Sequence, residues 1–459
     1  MRVSDYNIYI PIGNDTKEYL MVHGYSGAVD VVPEHIAKLI MNAANNQESL
    51  LEIPEDICEV MKKRGYLTEK SHDDEKEFFS RVAQAMHNYA KRYMGLTVVP
   101  SYDCNFRCRY CFEKGNFSKG NKLLEKTMDS DLVDEIFEAA KVSENVGRKV
   151  EKSITLFGGE PLRKENFEII KYIVNKSIEN GYKIGAITNG YDLDYYEELL
   201  SKDKISELQI TLDGIGKFHD KKRYRINGKP TFDKIVDNID NLLDSGIKIS
   251  VRSNIDGDNL HQIGELIKFY NEKGWTRKDN FSYNFKSVYT CKVKEEHEIT
   301  DKDISQELLK YKSKGEHYKY VGQYSRLYHV LYELLKNNRM MLLKAEFCGS
   351  VGGGMVVVDP YGFLYPCWEV IGDEQHIIGK IEGGKFVYND NFSYWSDRSV
   401  NKIEQCSTCA YGMFCGGGCP AHAKSIEGDI YKAHCEQYSD VFNEVLLETY
   451  NRLLQESVI

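Results

Sequence analysis

The sequence predicts an α/β protein: a partial (β/α)6 TIM-like barrel, preceded by a winged-helix-like module and followed by a cysteine-rich subdomain. Three observations predict it. From about residue 94, strand-like and helix-like runs alternate, the pattern of a parallel sheet with right-handed crossovers. Before that, short strands and helices joined by turn residues form a small separate unit. From about residue 346 the composition shifts to Gly, Cys and short strands. A chain of 459 residues exceeds one ordinary core, so several domains are expected.

In the first unit, residues 1–90, YNIYIPI and EYLMVHGYSGAVDVV read as strands. VPEHIAKLIMNAAN reads as a helix with Pro33 at its start. PEDICEVMKKRGYLTE gives a second helix, with Ile57, Val60 and Met61 on one face and Gly65 as its stop. The barrel, residues 91–298, has six strand-like runs: GLTVVP, SITLFGG, YKIGAITNG, LQITLDG, KISVRSNID and FSYNFKSVY. Between them lie helical patterns such as SDLVDEIFEAAKV and TFDKIVDNIDNLLDSG. Six repeats fall short of the eight of a closed barrel. Chemistry is expected at the C-terminal ends of these strands. Residues 299–345 read as polar, tyrosine-rich helices that bridge to residues 346–459, where GGGMVVVDPYGFLYPCW gives short strands and SDVFNEVLLETYNRLLQ a terminal helix.

Hydrophobic content of 42% and charged content of 28% describe a soluble globular chain, and a net charge of −10 leaves no basic footprint for nucleic acid. The N-terminus has no apolar run after basic residues, and no stretch approaches a membrane span. A cytoplasmic location follows as an expectation, and thiols there stay reduced unless they hold metal. The twelve cysteines therefore read as ligands before disulfides. Cys58 and Cys291 stand alone; the other ten fall into two groups.

The first group is SYDCNFRCRYCFEKG, residues 101–115, in which Cys104, Cys108 and Cys111 share one loop after the first barrel strand. Three thiolates can each take one corner of a [4Fe–4S] cubane and leave the fourth iron open to a ligand. The competing reading is zinc with a distant fourth ligand. The second group has seven cysteines, Cys348, Cys367, Cys406, Cys409, Cys415, Cys419 and Cys435, too many for one tetrahedral site and nearly enough for two four-ligand clusters. Zinc knuckles are the competing reading, which the run CGGGCP fits poorly.

The loop resembles the CxxxCxxC signature of radical S-adenosylmethionine (SAM) enzymes. The resemblance implies that the open iron chelates SAM, whose cleavage yields a 5′-deoxyadenosyl radical. It also implies SAM contacts at Tyr110, at Gly158, Gly159 and Glu160 of FGGEP, at Asn189 of TNG, at Thr211 of ITLDG, and at Arg223 or Arg252. The seven-cysteine region resembles the SPASM domain of peptide- and protein-modifying relatives, so the likeness runs from residue 95 to the end. It implies auxiliary cluster II on Cys406, Cys409, Cys415 and Cys435, and auxiliary cluster I on Cys348, Cys367 and Cys419, hence three [4Fe–4S] clusters in all. Fully ligated relatives carry a further cysteine just before Cys348, where this chain has MMLLKAEF. Only Cys291 or Cys58 could supply that ligand from afar, so an open iron at cluster I, able to take a substrate thiolate, is expected.

The first unit resembles the RiPP recognition element, which binds the leader of a ribosomally made precursor peptide as an added strand. Together the three parts resemble peptide maturases that cross-link a precursor through thioether bonds (sactipeptide or ranthipeptide type) or carbon–carbon bonds. The implied partners are a leader-bearing precursor peptide and reduced flavodoxin or ferredoxin as electron donor, with no nucleic acid and no membrane. A rival is the anaerobic sulfatase-maturing type, which carries a carboxylate immediately after the second auxiliary-cluster cysteine. Here Cys367 is followed by Trp368 and only then Glu369. An electron-transfer protein, or a zinc-stapled peptide-binding module, are the readings from other classes. The FGGEP, TNG and LDG constellation speaks against electron transfer alone, which needs no SAM pocket.

Overall fold

The computed structural model describes residues 1–13, 16–117, 121–288, 299–337 and 343–457. The first unit opens with β1 (Arg2–Val3), β2 (Asn7–Pro11), β3 (Glu18–His23) and β4 (Val29–Pro33). Three helices follow, Glu34–Ala43, Glu55–Arg64 and His72–Ala90, with β5 (Leu67–Thr68) pairing back on β1. Strands β2, β3 and β4 form an antiparallel sheet in that order. Period-2 alternation decides what each face covers. Ile8, Ile10, Leu20 and Val22 join the large buried core of the molecule, whereas Met21 and Val32 pack with Ile36, Ala37 and Ile40 of the unit's own helix.

The helix Glu55–Arg64 departs from its expected face. Cys58 and Met61 are its buried residues, and Val60 is 54% exposed. The buried line follows positions 58 and 61, three apart, and Val60 falls off it. Gly65 does end the helix, at φ +100. A Cβ there would also lie 2.8 Å from the His23 ring, so glycine is required twice over.

All six expected barrel strands form: β6 (Tyr93–Val98), β7 (Lys149–Leu156), β8 (Lys183–Thr188), β9 (Ile205–Thr211), β10 (Lys248–Ile255) and β11 (Phe281–Ser287). Each is parallel to its neighbour. Amphipathic helices, including Ser130–Asn145, Phe167–Glu179, Phe232–Leu243 and Gln262–Glu272, supply the apolar faces that pack with the sheet in one core.

The sheet does not stop at β6. Strand β12 (Met355–Val358) pairs parallel with it, Met355 opposite Gly95 and Val358 opposite Val98. Antiparallel β13 (Phe363–Tyr365), β14 (Gly379–Ile381) and β15 (Phe386–Tyr388) then complete a ten-stranded sheet. An unpaired β6 would leave a row of backbone donors and acceptors at the edge, and the apolar run MVVV satisfies them. The cysteine-rich region is thus continuous with the barrel. In the bridge, the helix Gly322–Asn337 runs along the terminal helix Tyr438–Ser457, tied by Arg452 Nη1 to Tyr328 Oη at 3.0 Å. No helix among the described residues is long and apolar enough to cross a membrane.

Candidate functional site at the C-terminal strand ends

The loop after β6 is held by its own backbone against residues 222–226. Arg107 N donates to Tyr224 O at 2.9 Å, Arg109 N to Lys222 O at 3.1 Å, and Ile226 N to Asn105 O at 3.0 Å. This pinning turns Cys104, Cys108 and Cys111 toward one another. Burial pushes the Cys104 and Cys108 thiols above their ordinary range and Cys111 to about 12. Neighbouring thiols add to the rise at Cys104 and Cys111, and the Arg223 guanidinium opposes it at Cys108. Three half-buried thiolates close enough to raise one another's pKa need a cation among them.

A single ion does not fit the spacing. A tetrahedral zinc with Zn–S bonds of about 2.3 Å requires its sulfurs well within 4.8 Å of one another. Among the described residues only His422, His434 and Glu436 bring three ligand atoms within 4.8 Å, and no three cysteines do. A cubane, which gives each thiolate its own iron, suits wider spacing. Phe106 N also points at Cys104 Sγ, 3.4 Å away, the kind of donor that steadies a cluster-bound thiolate.

The turns after the next four strands surround this loop. Gly158, at φ +122, and Gly159 lie directly against it; a Cβ on Gly159 would overlap Tyr102 O and Asp103 O. The two glycines therefore admit the protein's own cysteine loop. Glu160 is buried and turned inward. Its carboxylate accepts from Leu162 N at 2.9 Å, Thr188 Oγ1 at 2.6 Å and Asn189 N at 2.5 Å. Burial lifts its pKa to about 7 against these hydrogen bonds. Glu160 thus locks the FGGEP turn to the TNG turn. Asn189 continues the lock, donating to Asn105 Oδ1 at 2.7 Å.

Tyr110 sits at the centre of a second network. Its hydroxyl donates to Asp213 and accepts from Arg223 Nη1 at 2.7 Å and Asn254 Nδ2 at 3.1 Å. The Arg223 guanidinium lies 5.8 Å from the Phe106 ring, and its buried Nε has no hydrogen-bond partner. Arg252 holds Asn254 through Nε at 3.1 Å and stands opposite Thr211 in the β9–β10 register. Asp213 and Asn254 were not singled out in the sequence. The signal for Asp213 was the aspartate of LDG itself; nothing local marked Asn254.

The seven C-terminal cysteines divide into two neighbourhoods. Cys406 lies within electrostatic reach of Cys409, Cys415 and Cys435. Cys367 and Cys419 each lie within reach of Cys348 and are near one another. Backbone N–H groups of Tyr411 and Gly412 face Cys409, and those of Gly417 and Gly418 face Cys415. The donor sets suit clusters on the same grounds as the first loop. Glu369 lies within reach of Cys367 and 3.4 Å from His422, which shares Glu436 with His434. Against burial, hydrogen bonds from His422 and His434 hold the Glu436 carboxyl well below the carboxylate range.

Two contacts join the first loop to this region. Tyr102 Oη donates to Asp359 Oδ2 at 2.9 Å, in the turn between β12 and β13. The rings of Phe112, Phe157 and Trp368 follow one another at 6.2 and 5.6 Å, leading from the residue after Cys111 to the residue after Cys367. Cys58 is buried in the first unit, its thiol facing Ile53 O, among none of these cysteines. Cys291 lies outside the described residues.

Comparison with known proteins agrees with this geometry. Residues 98–270 match the profile of the radical SAM superfamily. A cysteine-type anaerobic sulfatase-maturating enzyme of Clostridium novyi is 24% identical over 363 residues, 75% of this chain and 92% of that protein. A GTP 3′,8-cyclase of Clostridium perfringens is 31% identical over 167 residues, 36% of this chain and 47% of that protein, so the match spans about half the cyclase. The solved structure of native anSMEcpe with bound AdoMet and Cp18Cys peptide superposes at a TM-score of 0.57 and 17% identity. It covers 79% of this chain and 98% of that one, which establishes a shared fold. The centre of this chain, residues 98–270, is thus similar to the radical SAM superfamily and has its α/β fold.

Proposed function

We propose that this protein is a peptide maturase that installs intramolecular cross-links, Cys thioethers first among them, in a ribosomally made precursor. The observation that carries the reading is the continuity of the sheet. Strand β12 extends the radical SAM strands, so the hairpin bearing Cys367 is built onto the strand that leads into the Cys104 loop. The rings of Phe112, Phe157 and Trp368 touch in series between them, and a substrate held there would meet the exposed Phe112. The peptide bound in the anSMEcpe structure supports a peptide substrate here.

Cys104, Cys108 and Cys111 would hold a [4Fe–4S] cluster with SAM on the open iron, which supplies a radical able to take a hydrogen atom from carbon. Cys406, Cys409, Cys415 and Cys435 would hold one auxiliary cluster. Cys348, Cys367 and Cys419 would hold another, with room for a substrate thiolate. The Tyr110–Asp213–Arg223–Asn254 network and the Glu160 lock fix the walls of the SAM pocket. Overall, the carbon-bound hydrogen would pass to 5′-deoxyadenosine as SAM is split to methionine, the thiol proton would leave, and the electron that started the cycle would be given back as the C–S bond closes. Reduced flavodoxin or ferredoxin supplies the starting electron, and the β4 edge takes the leader.

The test is incubation of reconstituted protein with SAM, reductant and a cysteine-bearing precursor, followed by mass spectrometry and thiol alkylation. The reading expects a product lighter by two hydrogen atoms with one thiol fewer to alkylate. The same mass loss with every thiol still free would move the bond to carbon–carbon. No peptide change alongside SAM cleavage would contradict a maturase.

A further inference from the structure

Arg398 is fully buried at 0% exposure, and among the described residues its hydrogen bonds go to main-chain carbonyls. Its Nε donates to Ile430 O, and Nη2 donates to Gly417 O at 2.7 Å and Lys432 O at 3.4 Å. Nη1 is buried with no partner. These carbonyls lie on the cysteine loops themselves, Gly417 between Cys415 and Cys419, and Ile430 and Lys432 just before Cys435. The thiols of Cys406, Cys348, Cys419 and Cys415, two from each neighbourhood, lie within electrostatic reach of the guanidinium. Gly417, at φ +85, packs directly on the guanidinium: a Cβ there would lie in ordinary contact, 3.5 Å, with Nη1 and Nη2 and would press on Ile403 Cδ1 at 2.7 Å.

A buried guanidinium without a counter-charge is strongly destabilising. Neutral carbonyls satisfy its donors in part and leave the charge unbalanced. Lys344, a second cation near Cys415 and Cys348, is partly exposed and bonded to Phe347 O at 3.4 Å, so solvent meets its needs. Arg398 has no such relief. We infer that Arg398 is the shared counter-cation of the two auxiliary clusters, with its free Nη1–H donating to cluster or thiolate sulfur. The inference rests on the cluster ligation proposed above and adds a redox role to it. A fixed positive charge between two anionic centres favours their reduced states, raising both potentials and leaving the Cys104-loop cluster untouched.

The experiment is a spectroscopic redox titration of reconstituted wild type, Arg398→Lys and Arg398→Met, after iron has been counted. With Arg398→Met, both auxiliary clusters should move to more negative potential by a tenfold change in the reduction equilibrium, about 59 mV for one electron. Arg398→Lys should fall between, and the third cluster should not move. Because Arg398 also ties three carbonyls, the unmodified protein gives a second reading. With 15N-labelled arginine, pulsed EPR of a reduced auxiliary cluster should show a 15N coupling that Arg398→Lys abolishes. Full iron with unshifted auxiliary potentials in Arg398→Met, or no 15N coupling in wild type, overturns the inference alone. Wild-type protein that takes up no auxiliary iron overturns the ligation reading first, and the iron count separates the two.

Discussion

His23 is buried between Ser4 Oγ at 3.0 Å and Ser26 Oγ at 2.8 Å, and burial lowers its pKa to about 4. The unfolded chain, with a histidine near 6.5, binds the proton more readily between those values. Stability of the first unit is therefore full above about pH 6.5 and falls as pH drops toward 4, by about 3 kcal/mol. Urea unfolding of wild type and His23→Gln across that window checks this, the variant losing the slope. Gly65→Ala meets both a left-handed φ and the His23 ring, and should cost about 1–3 kcal/mol in the same assay. Glu160→Gln turns an acceptor of three hydrogen bonds into one that presents an N–H to donors. It should weaken SAM binding about tenfold, measured by titration of the reconstituted protein. At this scale the sequence was half legible. FGGEP, TNG and LDG were found from their strand ends. That the glycines admit the cysteine loop, and that Glu160 faces inward, depends on loops distant in sequence.

Among the elements, β4 carries the most direct functional expectation. His23 N bonds Ala28 O, and Glu34 N bonds Lys17 O, which makes Val22–Val29, Leu20–Val31 and Glu18–Pro33 the non-hydrogen-bonded pairs. The N–H and C=O of Val29 and Val31 therefore point to the outer edge, where no described strand pairs. Arg64 Nη2 already reaches Val29 O at 3.3 Å. Val31→Pro removes an outward donor and keeps the β3–β4 ladder, so it should weaken precursor binding, read by fluorescence anisotropy, while leaving peptide-independent SAM cleavage intact. Unchanged binding would take the leader off this edge. Removing the whole unit is the poorer test. Tyr6 Oη donates to Ser407 O at 2.8 Å, and Tyr6 and Phe79 share a core with Cys406, so deletion disturbs a cysteine neighbourhood. The strands of this unit were readable from alternation. Its longest helix, His72–Ala90, was not singled out, although Ser71 and the acidic Asp73, Asp74 and Glu75 announce an N-terminus.

For the whole molecule, six barrel strands were legible because period and turn residues are local signals. The union of β6 with β12 was not, since it joins strands about 260 residues apart and no local pattern encodes such a pairing. The two cysteine neighbourhoods were anticipated only through family likeness, as spacing alone does not say that Cys419 lies with Cys348 and Cys367. The central claim is that the Cys104, Cys108 and Cys111 loop holds the iron that cleaves SAM. The measurement is iron content and 5′-deoxyadenosine formation in anaerobically reconstituted protein, wild type beside the triple Cys→Ala variant at these positions. The account expects about twelve irons per chain in wild type, loss of about a third of them in the variant, and no 5′-deoxyadenosine from it. Stoichiometric zinc in place of iron, or undiminished SAM cleavage by the variant, would contradict it.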